Sequence, residues 1–291
     1  MPKIGIVPNL TRDKALNVTL KVTEQLDKLN IEYAFDKSLL NLFPVKIDSD
    51  KFTNKLYERS DIIIAIGGDG SFIHAAKQAA MRKKPVLCIN AGNLAFLAGL
   101  EGNELGLLEK LISGDYVTDK RMMLKAVMKN SDGERALGYC LNDVVAARGA
   151  EIRLIDIDVL CDGRKINNYR ADGVIISTPT GSTAYSWSAG GPVIDPTLEC
   201  MTLTPICTHS PLNRSLVFGG DSVITIKPHT EHGVFSVSTD GEDAITVSNG
   251  AEIIISKSEL FAEFIRIKSD EFFDILNSKL KVGRTDEKET T

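Results

Sequence analysis

The rhythm of apolar and polar positions changes near residue 119. Before that point, short continuous apolar runs alternate with stretches in which apolar residues recur every three or four positions. Lys3 to Val7 reads as a short strand closed by the turn pair Pro8-Asn9. Ala15, Val18, Val22, Leu26 and Leu29 then share one face of a predicted helix. Asp61-Ile62-Ile63-Ile64-Ala65-Ile66 is a β-branched run of the kind buried on both faces of a parallel sheet. The alanine-rich Ser71 to Met81 predicts a second helix, Pro85 to Asn90 a further strand, and Leu105, Leu108 and Leu111 another helix. Strand–helix–strand repetition of this kind builds an α/β layer with right-handed crossovers.

Beyond residue 119 the period shortens. Met122 to Lys129 and Ala136 to Val145 read as strands joined across the hairpin signal Ser131-Asp132-Gly133. Ile155, Ile157 and Val159 alternate with Asp156 and Asp158, and Asp162-Gly163 offers another tight turn. Short strands recur at Val223 to Ile226, Val234 to Ser238, Ile253 to Ile255 and Phe264 to Ile267. Helical spacing returns with Phe272, Phe273, Leu276 and Leu280, and the tail from Lys281 to Thr291 is polar and expected to fray. The expected architecture is an α/β N-terminal domain over residues 1–118, built on a Rossmann-like parallel sheet. A β-rich, sandwich-like C-terminal domain follows over 119–268, and the helix of 269–281 is expected to pack back on the first domain.

Composition narrows the classes of function. The 291 residues carry 34 Lys+Arg against 39 Asp+Glu, a formal charge of −5, with the cations spread along the chain. That argues against a nucleic-acid binder working through a basic field. No apolar run approaches the roughly 20 residues of a membrane helix. Met1 to Val7 resembles a first strand more than a signal peptide. The cysteines, Cys88, Cys140, Cys161, Cys200 and Cys207, are odd in number and form no C-x-x-C pair, so neither a disulfide framework nor a zinc site is expected. A cytoplasmic protein that engages neither membrane nor nucleic acid is the expectation.

Candidate chemistry concentrates in three places. Gly67-Gly68-Asp69-Gly70 ends a buried strand and opens a helix, where open α/β sheets bind ligands and backbone N–H groups can meet an anion. An aspartate there repels phosphate, so it either binds a metal carried by phosphates or accepts a proton from an attacking hydroxyl. A tight turn with Asp69 as helix N-cap accounts for the four residues equally well. The second place is the segment from Tyr169-Arg170-Ala171-Asp172-Gly173 through Ser177-Thr178-Pro179-Thr180-Gly181-Ser182-Thr183-Ala184-Tyr185 to Trp187-Ser188-Ala189-Gly190-Gly191-Pro192. Its hydroxyls and small residues suit ribose, phosphate or amide groups, against the plainer reading of a Ser/Thr-rich surface loop. The third is Asn142-Asp143 within an apolar strand, a sugar-hydroxyl grip or a strand-edge bulge.

Other signals carry less. His229 and His232 are three apart, but Pro228 and Gly233 place them in a predicted loop. No H-E-x-x-H, G-x-S-x-G, Gly-Lys dipeptide or G-x-G-x-x-G occurs, which excludes a zincin helix, a hydrolase elbow, a Walker A loop and an ordinary dinucleotide fingerprint.

The ordered set Gly67–Gly70, Asn90-Ala91-Gly92-Asn93-Leu94-Ala95-Phe96-Leu97, Asn142-Asp143, Ser177–Tyr185, Thr204-Pro205-Ile206-Cys207-Thr208-His209-Ser210 and Asp240-Gly241 resembles the NAD kinases. The likeness runs from Lys3 to about residue 280. Gly-Gly-Asp-Gly by itself is shared with diacylglycerol kinases and 6-phosphofructokinases, and the Ser177–Tyr185 block is what singles out NAD kinase. The resemblance implies transfer of the ATP γ-phosphoryl group to the adenosine-ribose 2′-hydroxyl of NAD, giving NADP. It also implies a divalent cation, expected to be Mg²⁺, and a homo-oligomer, dimer or tetramer. Under it, Asp69 is the catalytic carboxylate with Gly70 beside it, and Phe96 contacts adenine. Asn142 and Asp143 hold ribose hydroxyls of the nicotinamide half. Arg170, Asp172, Thr183, Ala184, Tyr185 and Ser188 line the dinucleotide site, and Cys207 and His209 reach it from a neighbouring subunit.

The chain departs from the family pattern in four places: Ala95 for a frequent glycine, Asp143 for glutamate, Ala171 for the glycine of Arg-Gly-Asp-Gly, and Glu242 for glutamine. None removes a required functional group, but the shorter Asp143 puts its reach to ribose, and the choice between NAD and NADH, in question. A lipid or sugar kinase on the same scaffold and a non-catalytic dinucleotide-binding regulator are the alternatives. A lipid kinase should show an exposed basic or apolar membrane-docking segment, which the sequence does not offer, and a regulator has no use for Asp69.

Overall fold

The structure is a computed structural model that describes residues 1–92, 95–149, 153–229, 234–268 and 272–285. Two compact units form, one from Met1–Lys120 with the chain from Ala262 onward, the other from Arg121–Phe261.

In the first unit the apolar runs become a parallel sheet. Its strands lie in the order Phe52–Thr53, Tyr33–Asp36, Ile4–Pro8, Ile62–Gly67, Val86–Asn90, and Phe264 of the strand Glu252–Arg266 pairs beyond them with Val86. The run Ile62–Gly67 is buried throughout, as expected of a strand covered on both faces. Helix Asp13–Lys28 turns Val22 and Leu26 into the core, and Asp69–Ala80 does the same with Phe72, Ala75, Ala76 and Ala79. Their alanines let the second helix lie close to the sheet. Chain order reverses between Ile4–Pro8 and Ile62–Gly67, because the strands after the first go to one side and the later ones to the other. That reversal opens a crevice at the carboxyl ends of the two strands.

The second unit is antiparallel. One sheet runs Leu216–Gly219, Cys200–Ile206, Gly173–Ser177, Asp143–Arg148, Val234–Thr239, Ile245–Ser248. Across a shared core lie Arg164–Ala171, Ile155–Cys161, Ile224–His229 and the first part of Glu252–Arg266. Ile157, Val159, Tyr169, Ile226 and Ile255 from one side meet Val144, Ala146, Val174, Ile176, Leu203 and Phe235 from the other, which is the expected sandwich.

Several elements differ from the sequence reading. The predicted strand Ala136 to Val145 is two, Gly133–Cys140 and Asp143–Arg148, because the Asp240 carboxylate takes the backbone N–H groups of Leu141, Asn142 and Asp143 out of the ladder. The two short strands near 253 and 264 are one long strand, Glu252–Arg266, whose polar middle hid its continuity. The Leu105 helix is a 3₁₀ turn, Leu105–Glu109, followed by the short helix Lys110–Ser113, ended by Gly114 at φ 73°. Pro228 and His229 end the strand Ile224–His229 instead of lying in a loop. His232 and Gly233 fall outside the described residues, as do Asn93, Leu94 and the tail 286–291. The C-terminal helix, expected over 269–281, spans Phe272–Thr285, with 269–271 also outside them.

Candidate active site

The crevice of the first unit is a cavity of about 830 Å³. One wall is the turn after the first strand, with Asn9, Thr11 and Arg12, and the other is Gly68 to Ser71 with His74 one helical turn on. Leu39 and Leu42 supply an apolar side. Asn9 ties the walls together, its Nδ2 donating to Ser71 Oγ at 2.8 Å while its Oδ1 accepts from Thr11 Oγ1 at 2.6 Å. Helices Asp13–Lys28 and Asp69–Ala80 both begin at this cavity, and neither has a side-chain cap: the N-cap residues are Arg12 and Gly68. Most helices cap their first amides with their own Ser, Thr, Asp or Asn. Here no N-cap side chain covers the first turns, so the positive ends of two helix dipoles face the cavity of a net-acidic chain.

Asp69 is the first residue of its helix, not its N-cap. Its carboxylate accepts the Phe96 N–H at Oδ2 and the Leu97 N–H at Oδ1, each at 3.0 Å. Two backbone donors on separate oxygens fix the plane of the group and leave lone pairs for a further hydrogen. Phe96, singled out for its ring, therefore also acts through its backbone. Gly70 is exposed beside Asp69 on the cavity wall, so the structure brings Asp69, Gly70 and Phe96 together.

In the second unit, Asn142 and Asp143 sit at the strand break held by Asp240. The Asp240 carboxylate lies 2.8, 2.7 and 3.1 Å from the amide nitrogens of Leu141, Asn142 and Asp143. Asp240 itself has φ 52°, and its N–H returns to the Asp143 carbonyl at 2.9 Å. Burial pushes the Asp143 carboxyl up to about 7, and the neighbouring Asp240 charge adds to the rise. Asp143, Ser177 and Thr202 stand opposite one another on adjacent strands, giving this face of the sheet a polar row.

Ser177–Tyr185 is not a surface loop. It leaves its strand into a buried 3₁₀ turn, Thr180–Thr183, and a short helix, Tyr185–Ser188. Thr178 anchors it to the Asn142 turn, its N–H donating to Asn142 O at 2.8 Å and its hydroxyl to Leu141 O at 2.6 Å. Gly181 presses on the same turn, where a Cβ would stand 2.1 Å from Asn142 O. Thr183, Ala184, Tyr185 and Ser188 thus belong to a segment fastened to Asn142, with Tyr185 and Ser188 exposed. The other end of the strand Gly173–Ser177 carries a second group. Arg148 Nε meets Asp172 Oδ1 at 2.7 Å, and His209 N–H donates to Arg170 O at 2.8 Å. Exposed Cys207 (φ 46°) and His209 lie on this stretch. The strand Gly173–Ser177, five residues at about 3.3 Å each, sets these two groups roughly 17 Å apart.

Sequence reasoning missed the pocket roles of Asn9, Arg12, Ser71 and His74, the partner Arg148, and the anchoring role of Asp240. Only Asp240 carried a signal, in the Asp240-Gly241 pair. Among the described residues, no three His, Cys, Asp or Glu side chains converge as a metal-binding group, and no helix is long and apolar enough to cross a membrane.

Comparison with known proteins identifies the family of both parts of the chain. Residues 4–116 match the ATP-NAD kinase N-terminal domain and 141–267 the ATP-NAD kinase C-terminal domain. The NAD kinase of Caldanaerobacter subterraneus subsp. tengcongensis is 38% identical over 284 residues, 96% of this chain and 99% of that protein. The NAD kinase of Natranaerobius thermophilus is 34% identical over 98% of this chain and 99% of its own length. Among solved structures, a yeast NADH kinase complexed with NADH superposes with TM-score 0.86 at 23% identity, covering 97% of this chain and 88% of that one. An Archaeoglobus fulgidus NAD kinase in complex with ATP gives 0.74 at 23%, covering 96% and 98%.

Proposed function

The chain belongs to the NAD kinase family, a phosphotransferase making NADP from NAD and ATP, and we propose that Asp69 is the general base of that reaction. The observation that carries this reading is the paired grip of the Phe96 and Leu97 amides on the Asp69 carboxylate at the edge of the cavity. A ribose hydroxyl is a poor nucleophile at neutral pH, so its proton must be taken as it attacks. The 2′-oxygen bonds to the γ-phosphorus, its proton passes to Asp69, and the bond to the bridging oxygen breaks to leave ADP. The first-turn amides beside Gly68–Ser71, together with Arg12, face the phosphate charge during transfer.

A divalent cation fits this site in one way. The cavity offers Asp69 and His74, and with Asp69 taking the hydroxyl proton a cation would be carried on the substrate phosphates rather than held by a cluster of protein carboxylates. Such an ion, Mg²⁺ in the expected case, neutralises phosphate charge.

Asn142 and Asp143 hold the ribose hydroxyls of the nicotinamide half, and Thr183, Ala184, Tyr185 and Ser188 line the dinucleotide beside them. Arg170 and Asp172 take its far end. A homo-oligomer, dimer or tetramer, brings Cys207 and His209 to a neighbour's site, a reading that the exposure of both supports. A cytoplasmic location accords with five free thiols. The test is incubation of purified protein with ATP, Mg²⁺ and NAD, with the product examined by ³¹P NMR. A new monoester on the adenosine ribose 2′-position is expected, and phosphate appearing anywhere else overturns the assignment.

A further inference from the structure

Arg266 ends the long strand Glu252–Arg266 and belongs to the same unit as Asp69. Its Nη1 donates to the carbonyl oxygens of Leu97 at 3.2 Å and Ala98 at 2.8 Å. Its Nε and Nη2 both reach Asp119 Oδ2 at 3.2 Å. The guanidinium side chain is only 14% exposed and the Asp119 side chain 21%, so the pair is largely screened from solvent. Leu97 is therefore gripped from both ends: Arg266 takes its carbonyl, and Asp69 takes its N–H.

The same short segment is also pressed flat. Gly99 donates its N–H to Cys88 O at 2.8 Å, and a Cβ there would stand 2.7 Å from Ile265 O and 3.0 Å from Leu87 Cδ1. Gly99 thus sits in close contact with both the strand Val86–Asn90 and the strand that carries Arg266. A guanidinium suits this task because its planar fork can hold a carboxylate on one edge and carbonyls on another. A lysine offers a single point of charge and cannot span both.

We propose that Arg266 is a positioning residue for catalysis: it fixes the Leu97–Ala98 segment, and Leu97 in turn sets the orientation of the Asp69 carboxylate. The proposal rests on the reading of Asp69 as general base. A carboxylate turns about two side-chain bonds, and its aim at a ribose hydroxyl depends on where its backbone donors stand. Misplacement by about 1 Å costs on the order of 100-fold in rate.

The experiment compares Arg266→Lys, Arg266→Ala and Asp119→Asn with Asp69→Asn, measuring kcat, the KM values for NAD and ATP, and the thermal midpoint. Arg266→Ala and Arg266→Lys are expected to lose about 10–100-fold in kcat with KM for NAD within about 2-fold. Guanidinium chloride at low, non-denaturing concentration should restore part of the kcat of Arg266→Ala, and sodium chloride at equal ionic strength should not. Gly99→Ala displaces the same segment without touching a charge and should show the same split between kcat and KM, which keeps the proposal testable if Arg266→Ala does not fold. Wild-type kcat in the Arg266 variants beside a collapsed Asp69→Asn overturns the proposal while sparing the general base. A kcat loss that merely follows the folded fraction, without rescue by guanidinium, also overturns it. Wild-type turnover in Asp69→Asn removes the general base itself, and the positioning role with it.

Discussion

Asp240 and Asn142 meet across 98 residues of sequence, the carboxylate of the first accepting the backbone N–H of the second at 2.7 Å. Because Leu141 and Asp143 donate to the same group, three consecutive amides leave the sheet ladder without going unsatisfied. The break turns what would be a continuous strand into a corner on which Asn142 and Asp143 are presented.

Asp240→Ala removes both carboxylate oxygens, and with them all three hydrogen bonds, at once. Hydrogen bonds to a charged group are worth about 1.5–3 kcal/mol each, less whatever water recovers, so a loss of roughly 3 kcal/mol in stability is expected. The KM for NAD should rise at least about 10-fold, since the corner no longer holds its shape. An unchanged thermal midpoint and KM would show that the corner is held by other contacts.

Gly181→Ala tests the other side of the same corner. The added methyl would lie 2.1 Å from the Asn142 carbonyl oxygen and 2.7 Å from its Cα, both backbone atoms with little room to yield. Overpacking of this kind costs about 1–3 kcal/mol. Denaturant unfolding should report that loss, and saturation kinetics a weaker grip on NAD. A variant indistinguishable from wild type in both would mean the segment and the corner move freely together.

Asp143 makes stability fall as pH rises. Its carboxyl is held at about 7 in the fold against 3.8 for an ordinary aspartate, so between those values the folded state binds more protons than the unfolded. Stability from this group is full below about pH 4 and is lost as pH rises through 7. A shift of about three units corresponds to roughly 4 kcal/mol across that window. Asp143→Asn should abolish this part of the slope, and should be relatively more stable than wild type at pH 8. Parallel stability–pH curves for the two proteins would contradict it.

Asp172 and Arg148 form a pair whose side chains are 32% and 30% exposed, at 2.7 Å. An ion pair of that exposure contributes at most about 1 kcal/mol to folding. Asp172→Asn is therefore expected to leave the thermal midpoint within a few degrees while raising the KM for NAD several-fold at unchanged kcat. A fall in kcat with KM unmoved would place Asp172 nearer the chemistry than the dinucleotide's far end.

The sequence displayed the buried run Asp61–Ile66 and the glycine turn after it, because β-branched runs and glycines have one physical reading at a strand's end. It displayed Asn142-Asp143 because two polar residues in an apolar strand are conspicuous. It could not display the break beside them, which depends on a carboxylate nearly a hundred positions away. The Leu97 and Phe96 amides that hold Asp69 were equally invisible, since every residue but proline carries an N–H and only the fold decides which one points where. Arg266 was hidden for a related reason. It closes a strand whose polar middle, Lys257 to Glu259, broke the apolar alternation and made one long element look like two.

The most direct test of the general base is single-turnover phosphoryl transfer in Asp69→Asn at saturating ATP, Mg²⁺ and NAD, with NAD affinity measured separately by calorimetry. The amide keeps the size of the carboxylate but cannot accept the 2′-hydroxyl proton as a base. The predicted result is an NAD dissociation constant within about 3-fold of wild type and a transfer rate lower by about 100-fold or more. A transfer rate close to that of wild type would contradict the assignment of Asp69.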